Sequence, residues 1–79
     1  MAICAQVARI LREEREKRGL SMTMVAAKAG LSQQMVSYVE RGIRNPTLET
    51  LLRITNALEI NLAKVIDRAS RASKEVKRK

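Results

Sequence analysis

The chain has no histidine, tryptophan or phenylalanine, and only one tyrosine, one cysteine and one proline among its 79 residues. Each shortage closes off a class of chemistry. Without histidine there is no imidazole to serve as a base near neutral pH or to ligate a metal. The single thiol, Cys4, can form neither an internal disulfide nor a metal site. It lies in an apolar N-terminal pattern and reads as a partly buried core thiol rather than a redox group. No nucleophile has a visible base, and neither GxGxxG nor GxxxxGK[ST] occurs, so the reading is that the chain is not an enzyme and carries no cofactor. With aromatics so scarce, the core must be built from Leu, Ile, Val, Ala and Met. These recur at helical spacing, and no stretch sustains the alternation of a strand. Three glycines and one proline are few for an all-β fold. No apolar stretch approaches the ~20 residues of a membrane span. Arg9 and Arg12 interrupt the N-terminal apolar run too early for a signal peptide. The expectation is one small cytosolic domain.

What the chain does have is positive charge. Lys plus Arg outnumber Asp plus Glu by 16 to 8. Such an excess speaks about partners rather than fold. Nucleic acid leads; an anionic membrane or an acidic protein is the alternative. The stretch from Ser70 to Lys79 holds Arg71, Lys74, Lys77, Arg78 and Lys79 against Glu75, half of the chain's net +8. A membrane role for this segment is weak, because no leucine or aromatic face accompanies the charges.

The apolar pattern divides the chain into five helices. Helix 1 is expected over about Ala2–Arg18, with Ile3, Val7, Ile10 and Leu11 as its stripe and Gly19 closing it. Ser21 caps helix 2, about Met22–Ala29, with Val25, Ala26 and Ala29 inward. Gly30 ends it, Leu31 plugs the turn, and Ser32 caps helix 3, about Gln33–Arg41, with Val36 and Val39 buried. Two short helices joined by a glycine-containing turn form a helix-turn-helix arrangement. After a loop at Ile43-Arg44-Asn45-Pro46, Thr47 caps helix 4, about Leu48–Leu58. Leu48, Leu51, Leu52 and Thr55 are expected to face inward. Asn61 caps helix 5, with Leu62, Val65, Ile66 and Ala69 as its stripe. Beyond about Ser70 only Val76 is large and apolar, so that segment is expected to fray. The organisation read is a domain over 1–69 followed by a basic extension over 70–79.

Helix 3 presents an outer face of a different kind. Gln34, Ser37, Tyr38 and Arg41 fall at i, i+3, i+4 and i+7, opposite Val36 and Val39, and Gln33 stands beside them at the helix start. A glutamine amide pairs bidentately with adenine N6 and N7, and arginine holds phosphate. Tyr38 reads either as a DNA contact or as a core or dimer contact. In a basic chain, this stripe points to the major groove.

The run from Gly19 to Ile66, roughly three fifths of the chain, resembles the phage repressor and Cro (XRE) helix-turn-helix family. The residues carrying the resemblance include Gly19-Leu20-Ser21, Ala26, Lys28-Ala29-Gly30-Leu31-Ser32, Val36, Val39-Glu40-Arg41-Gly42, Arg44-Asn45-Pro46-Thr47-Leu48-Glu49-Thr50-Leu51 and Ala57-Leu58. Together and in order they are specific for the fold and say little about the operator. The resemblance implies an all-α, five-helix lambda-repressor-like domain that binds double-stranded DNA as a homodimer, with recognition helices about 34 Å apart. It also implies a structural ion pair between Arg15 and Glu40, phosphate contacts by Arg44 and Asn45, and a dimer contact around helix 5, for which Ile60 and Leu62 are the candidates. Met22 departs from the family, which usually has glutamine as the first residue of helix 2. Ser21, Thr23 and the helix N-terminus are left to hold that phosphate. Lys64 departs too, since acids are common in the first turn of helix 5. Lys28 fits a contact by charge alone.

Two functional classes follow. One is a transcriptional regulator on a palindromic operator, either a phage-type repressor or a restriction-modification controller protein, with RNA polymerase as the machinery it blocks or recruits. The other is an antitoxin that binds both its operator and a toxin protein. Against the second, the C-terminal segment is rich in charge and poor in apolar anchors.

Overall fold

The computed structural model describes residues 2–43 and 45–77, and among them every regular element is a helix. α1 spans Ala2–Lys17, α2 Met22–Ala29, α3 Gln33–Glu40, α4 Leu48–Leu58 and α5 Leu62–Lys77. The first four match the expected bounds to within a residue. α5 does not fray at Ser70; it runs on through Lys77, so residue 70 lies inside a helix. The apolar stripe continues in smaller residues. Val65 and Ala69 are buried, and Ala72 and Ser73 are half-buried.

α2 and α3 have eight residues each, too few to hold as isolated helices. They persist because their ends are satisfied and their inner faces are covered. Ser21 Oγ accepts from Met24 N at 3.1 Å, Ser32 Oγ from Met35 N at 3.0 Å and Thr47 Oγ1 from Thr50 N at 3.1 Å. At the other end, α1, α2, α3 and α4 close in the same way. An amide just past the helix reaches back five residues: Leu20 to Arg15, Leu31 to Ala26, Ile43 to Tyr38 and Ile60 to Thr55. The closing residue of α4 is Glu59, at φ 60, a left-handed conformation held without glycine.

The core forms where these elements meet. Ile10 and Leu11 of α1, Val25 of α2, Val36 of α3, Ile54 and Leu58 of α4, and Val65 and Ala69 of α5 are all buried. α5 lies chiefly against α1, and α2 packs between α3 and α4. Three expected core positions are not in it. Leu48 is 65% exposed and Leu52 43%, while Ile66 is also on the surface. The inner face of α4 is instead Leu51, Ile54, Thr55 and Leu58, with Thr55 donating to the backbone carbonyl of Leu51 at 3.0 Å. The stripe keeps the expected spacing but starts one turn later.

Two ion-pair sites tie the helices together. Arg15 and Glu40 are both buried, and they form the pair expected from the resemblance. Arg15 Nε donates to Glu40 Oε2 at 2.8 Å, and Nη2 donates to Oε1 at 3.0 Å. Nη1 donates to the Leu20 carbonyl at 2.8 Å. The hydrogen bonds to Glu40 raise the Arg15 pKa further. The second site was not expected. The buried carboxylate of Glu14 is gripped by Arg18 just past the end of α1, by Arg68 of α5 at 3.0 Å, and by Lys17 at 3.6 Å. The bonds from Arg18, then Arg68, pull its pKa down from 4.5 to about 2.

Removing one member of the Arg15–Glu40 pair strands a buried charge, so Arg15→Met or Glu40→Leu alone should cost ~3–5 kcal/mol in denaturant unfolding. The double variant Arg15→Met/Glu40→Leu should recover most of that loss; additive losses would show that the pair is not coupled. Glu14, with its depressed pKa, contributes stability that is present above its unfolded pKa and lost as the pH falls from 4.5 toward 2. Glu14→Gln should therefore flatten the decline in thermal midpoint over that window and leave a lower midpoint at pH 7. An unchanged acid limb would show that Glu14 does not link α1 to α5.

Candidate nucleic-acid interface

The two serine caps set the N-termini of α2 and α3 side by side at the surface. This happens because the α2–α3 turn is tight: Gly30 sits at φ 71, and Leu31 folds back against the core. Gly30 is boxed in from outside as well. Arg53 of α4 donates from Nη1 to the Ala29 carbonyl at 3.3 Å, and a Cβ on Gly30 would lie 3.1 Å from that nitrogen. Arg53 thus fastens the end of α2 to α4, while Glu49 holds the same guanidinium at 2.9 Å.

With Val36, Val39 and Glu40 buried, α3 can present only its opposite face. Gln33, Gln34 and Arg41 are exposed, and Ser37 and Tyr38 are half-buried among them. The predicted polar stripe is therefore assembled on one surface. Its members are also tied to one another. Thr23 Oγ1 of α2 donates to Gln33 Oε1 at 3.2 Å, Gln34 Nε2 donates to Tyr38 OH at 2.6 Å, and Arg41 Nη1 donates to Ser37 Oγ at 3.5 Å. Ser21 and Thr23 are exposed on the neighbouring helix start; Ser21 Oγ serves as the cap acceptor there, which leaves its hydroxyl proton free to donate. Asn45 is exposed in the loop after α3, and Arg44 lies outside the described residues.

The charge is distributed unevenly. Among the described side chains, Arg9, Arg12, Arg15, Arg18, Lys17, Arg53, Arg68 and Arg71 all sit within ion-pair distance of an acid. Lys28 of α2, Arg41 at the C-cap of α3 and Lys64 of α5 do not. Uncompensated positive charge thus stands on α2 and at the end of α3. Ile60 and Leu62, the expected dimer contacts, are half-buried and pack partly on this chain's own core. Exposed apolar side chains stand nearby in sequence on α4 and α5: Leu48, Leu52 and Ile66. The sequence reading missed the Arg53 and Thr23 hydrogen bonds, which join residues on different helices and leave no local pattern. It had marked Thr23 for phosphate.

Comparison with known proteins agrees with this geometry. The pattern of the helix-turn-helix family matches residues 11–65. The HTH-type transcriptional regulator SlrR of Bacillus subtilis is 32% identical over 62 residues, covering 77% of this chain and 41% of that protein. The chain thus spans about two fifths of SlrR's length. The uncharacterized HTH-type transcriptional regulator y4dJ of Sinorhizobium fredii is 40% identical over 52 residues, covering 66% of this chain and 68% of that protein. Among solved structures, the restriction-modification controller protein C.AhdI from Aeromonas hydrophila superposes with a TM-score of 0.77 at 35% identity, covering 82% of this chain and 98% of that one. A tyrosine-to-phenylalanine mutant of C.Esp1396I bound to its highest-affinity operator site superposes at 0.82, covering 92% of this chain and 96% of that one; at 22% identity it bears on the fold alone.

The tight turn gives one direct check. Gly30→Ala puts a side chain into a left-handed conformation and against Arg53, and should cost ~1 kcal/mol or more in unfolding. A neutral effect would mean that the turn relaxes freely.

Proposed function

The chain belongs to the helix-turn-helix family of DNA-binding transcriptional regulators, and on that premise we propose that it binds a palindromic operator as a homodimer with α3 in the major groove. The observation that carries this reading is the solvent-facing surface of α3. Gln33, Gln34, Ser37 and Tyr38 stand there, with Arg41 at its end, beside the capped start of α2. Gln33, Gln34 and Ser37 meet base edges, and Tyr38 meets a thymine methyl or a phosphate. Ser21, Thr23 through its backbone amide, Arg41, Arg44 and Asn45 hold phosphates that fix the register. The helix starts favour those anions through their free amides.

Residues 1–69 form the binding domain. The segment 70–79 adds sequence-independent attraction through its basic residues, as an extension of α5 where the helix is described. Ile60 and Leu62, with the exposed Leu48, Leu52 and Ile66, supply the apolar material for pairing two copies. The likeness to C.AhdI supports a controller-type regulator. Acting in the cytosol, it would block or recruit RNA polymerase at a promoter.

Selection from a random duplex pool should enrich a palindrome with half-sites about one helical turn apart. Anisotropy titration of that site should then show a steep salt dependence, with an affinity above that for random duplex at every salt concentration. Gln34→Ala should cut discrimination against a mismatched base pair by ~1–3 kcal/mol and weaken random-duplex binding little. Steep salt dependence with no enriched sequence would refute a sequence-specific role.

A further inference from the structure

The two glutamines at the head of α3 are the same residue type side by side, yet the structure holds their amides in opposite senses. Gln33 takes the Thr23 hydroxyl on its carbonyl oxygen at 3.2 Å. Its amide nitrogen, with two N–H donors, is the end left to face outward. Gln34 gives its amide nitrogen to the Tyr38 hydroxyl at 2.6 Å, which leaves its carbonyl oxygen outward. Both glutamines are exposed, so what each offers a ligand is set by these neighbours rather than by burial.

We infer that Thr23 is a specificity-determining residue: its hydroxyl holds the Gln33 carbonyl, so that Gln33 reads a guanine through its amide donors instead of pairing bidentately with adenine. The inference rests on the proposed binding of DNA by α3 and names the base chemistry at one position of that site. Adenine recognition by glutamine uses the amide both ways, its oxygen toward N6 and its nitrogen toward N7. With the oxygen turned toward Thr23, only donors face the groove. Guanine O6 and N7 are two acceptors side by side and satisfy such a group. The Thr23 hydroxyl reaches Gln33 because the two helix starts are adjacent. Thr23 is the second residue of α2, Gln33 is the first of α3, and the Gly30 turn fixes their separation. Thr23 belongs to the element that does not lie in the groove, and so sets base choice through another side chain.

The test uses the full chain and selection from a random duplex pool. The base pair read by Gln33 is the one whose preference Gln33→Ala flattens. Wild type should prefer G·C there. Thr23→Val removes the hydroxyl and keeps the branched shape, so the preference at that one pair should move toward A·T by about tenfold, the rest of the consensus staying unchanged. Thr23→Ser keeps the donor and should keep guanine. Gln33→Lys, which has donors only, should also keep guanine, and Gln33→Glu, which has acceptors only, should lose it. The two Gln33 variants report even if Thr23→Val fails to fold, which thermal unfolding will show. An adenine preference in wild type overturns the inference, as does a Thr23→Val consensus identical to wild type, or an equal loss of binding on all sequences. In those cases the operator-binding reading stands. If wild type enriches no sequence at all, both fail together.

Discussion

The buried contact between Arg15 and Glu40 is the constraint on which the geometry of the proposed DNA-facing surface depends. One guanidinium closes three gaps at once. It donates to both carboxylate oxygens at the end of α3, and from its third corner it donates to the Leu20 carbonyl, where the chain leaves α1 for α2. Apolar packing could hold α3 against α1 with some freedom to rotate, because Val36 and Val39 are smooth and alike. A planar, two-pronged bond does not permit rotation. It fixes which face of α3 is inward and hence which face is left to solvent. The burial of both groups makes the arrangement costly to break by halves. Its contribution is orientation more than net stability.

Everything else on that surface follows from short elements ending abruptly. Eight-residue helices have a large share of unpaired amides and carbonyls, and each has to be met locally. Serine does so at the starts of α2 and α3; backward-reaching amides do so at the ends. The residues that donate those amides, Leu20, Leu31 and Ile60, then fold their side chains onto the core. Ile60 therefore has a task within its own chain, closing α4, before it has any task between chains. Arg53 plays a related part by capping the Ala29 carbonyl from α4. The α2–α3 turn is gripped from both sides, which gives Thr23 and Gln33 a fixed separation.

Much of this was legible in the sequence, because the rules that place helix ends are local. Ser21, Ser32, Thr47 and the glycines at 19, 30 and 42 marked the bounds of four helices with errors of one residue. The outer face of α3 was legible for the same reason, since burying Val36 and Val39 decides the rest. Periodicity failed where two answers share one period. In α4, Leu48, Leu51, Leu52 and Thr55 have the spacing i, i+3, i+4, i+7, and so do Leu51, Ile54, Thr55 and Leu58. Only contact with the other helices selects the later set. In α5 the continuation past Ser70 was hidden because small residues, Ala72 and Ser73, replace the large ones that signalled the stripe. The Glu14 cluster and the Thr23–Gln33 bond join residues on separate helices, so no reading along the chain finds them.

The ion pairs also explain how so basic a chain stays compact while keeping charge for a partner. A net charge of +8 on 79 residues repels itself. The acids are not scattered evenly against it. Glu13, Glu14 and Glu16 on α1, Glu49 on α4 and Asp67 on α5 each meet an arginine, and Glu14 collects three cations by itself. Most of these contacts are exposed, and each is worth little as a bond. Their collective effect is on where the remaining field lies. They offset the arginines of α1 and α4, while Lys28 on α2, Arg41 at the end of α3 and Lys64 on α5 are left uncompensated. Part of the attraction to a polyanion is thereby left beside the glutamines. On the proposed binding mode, phosphate contacts there add affinity for any duplex, and their strength falls with salt. The amides of Gln33 and Gln34 are neutral, so hydrogen bonds from them to bases would not share that salt dependence. With the charge beside the proposed reading groups and not in them, a change of hydroxyl such as that of Thr23 would alter base choice without disturbing either the fold or the electrostatic part of binding.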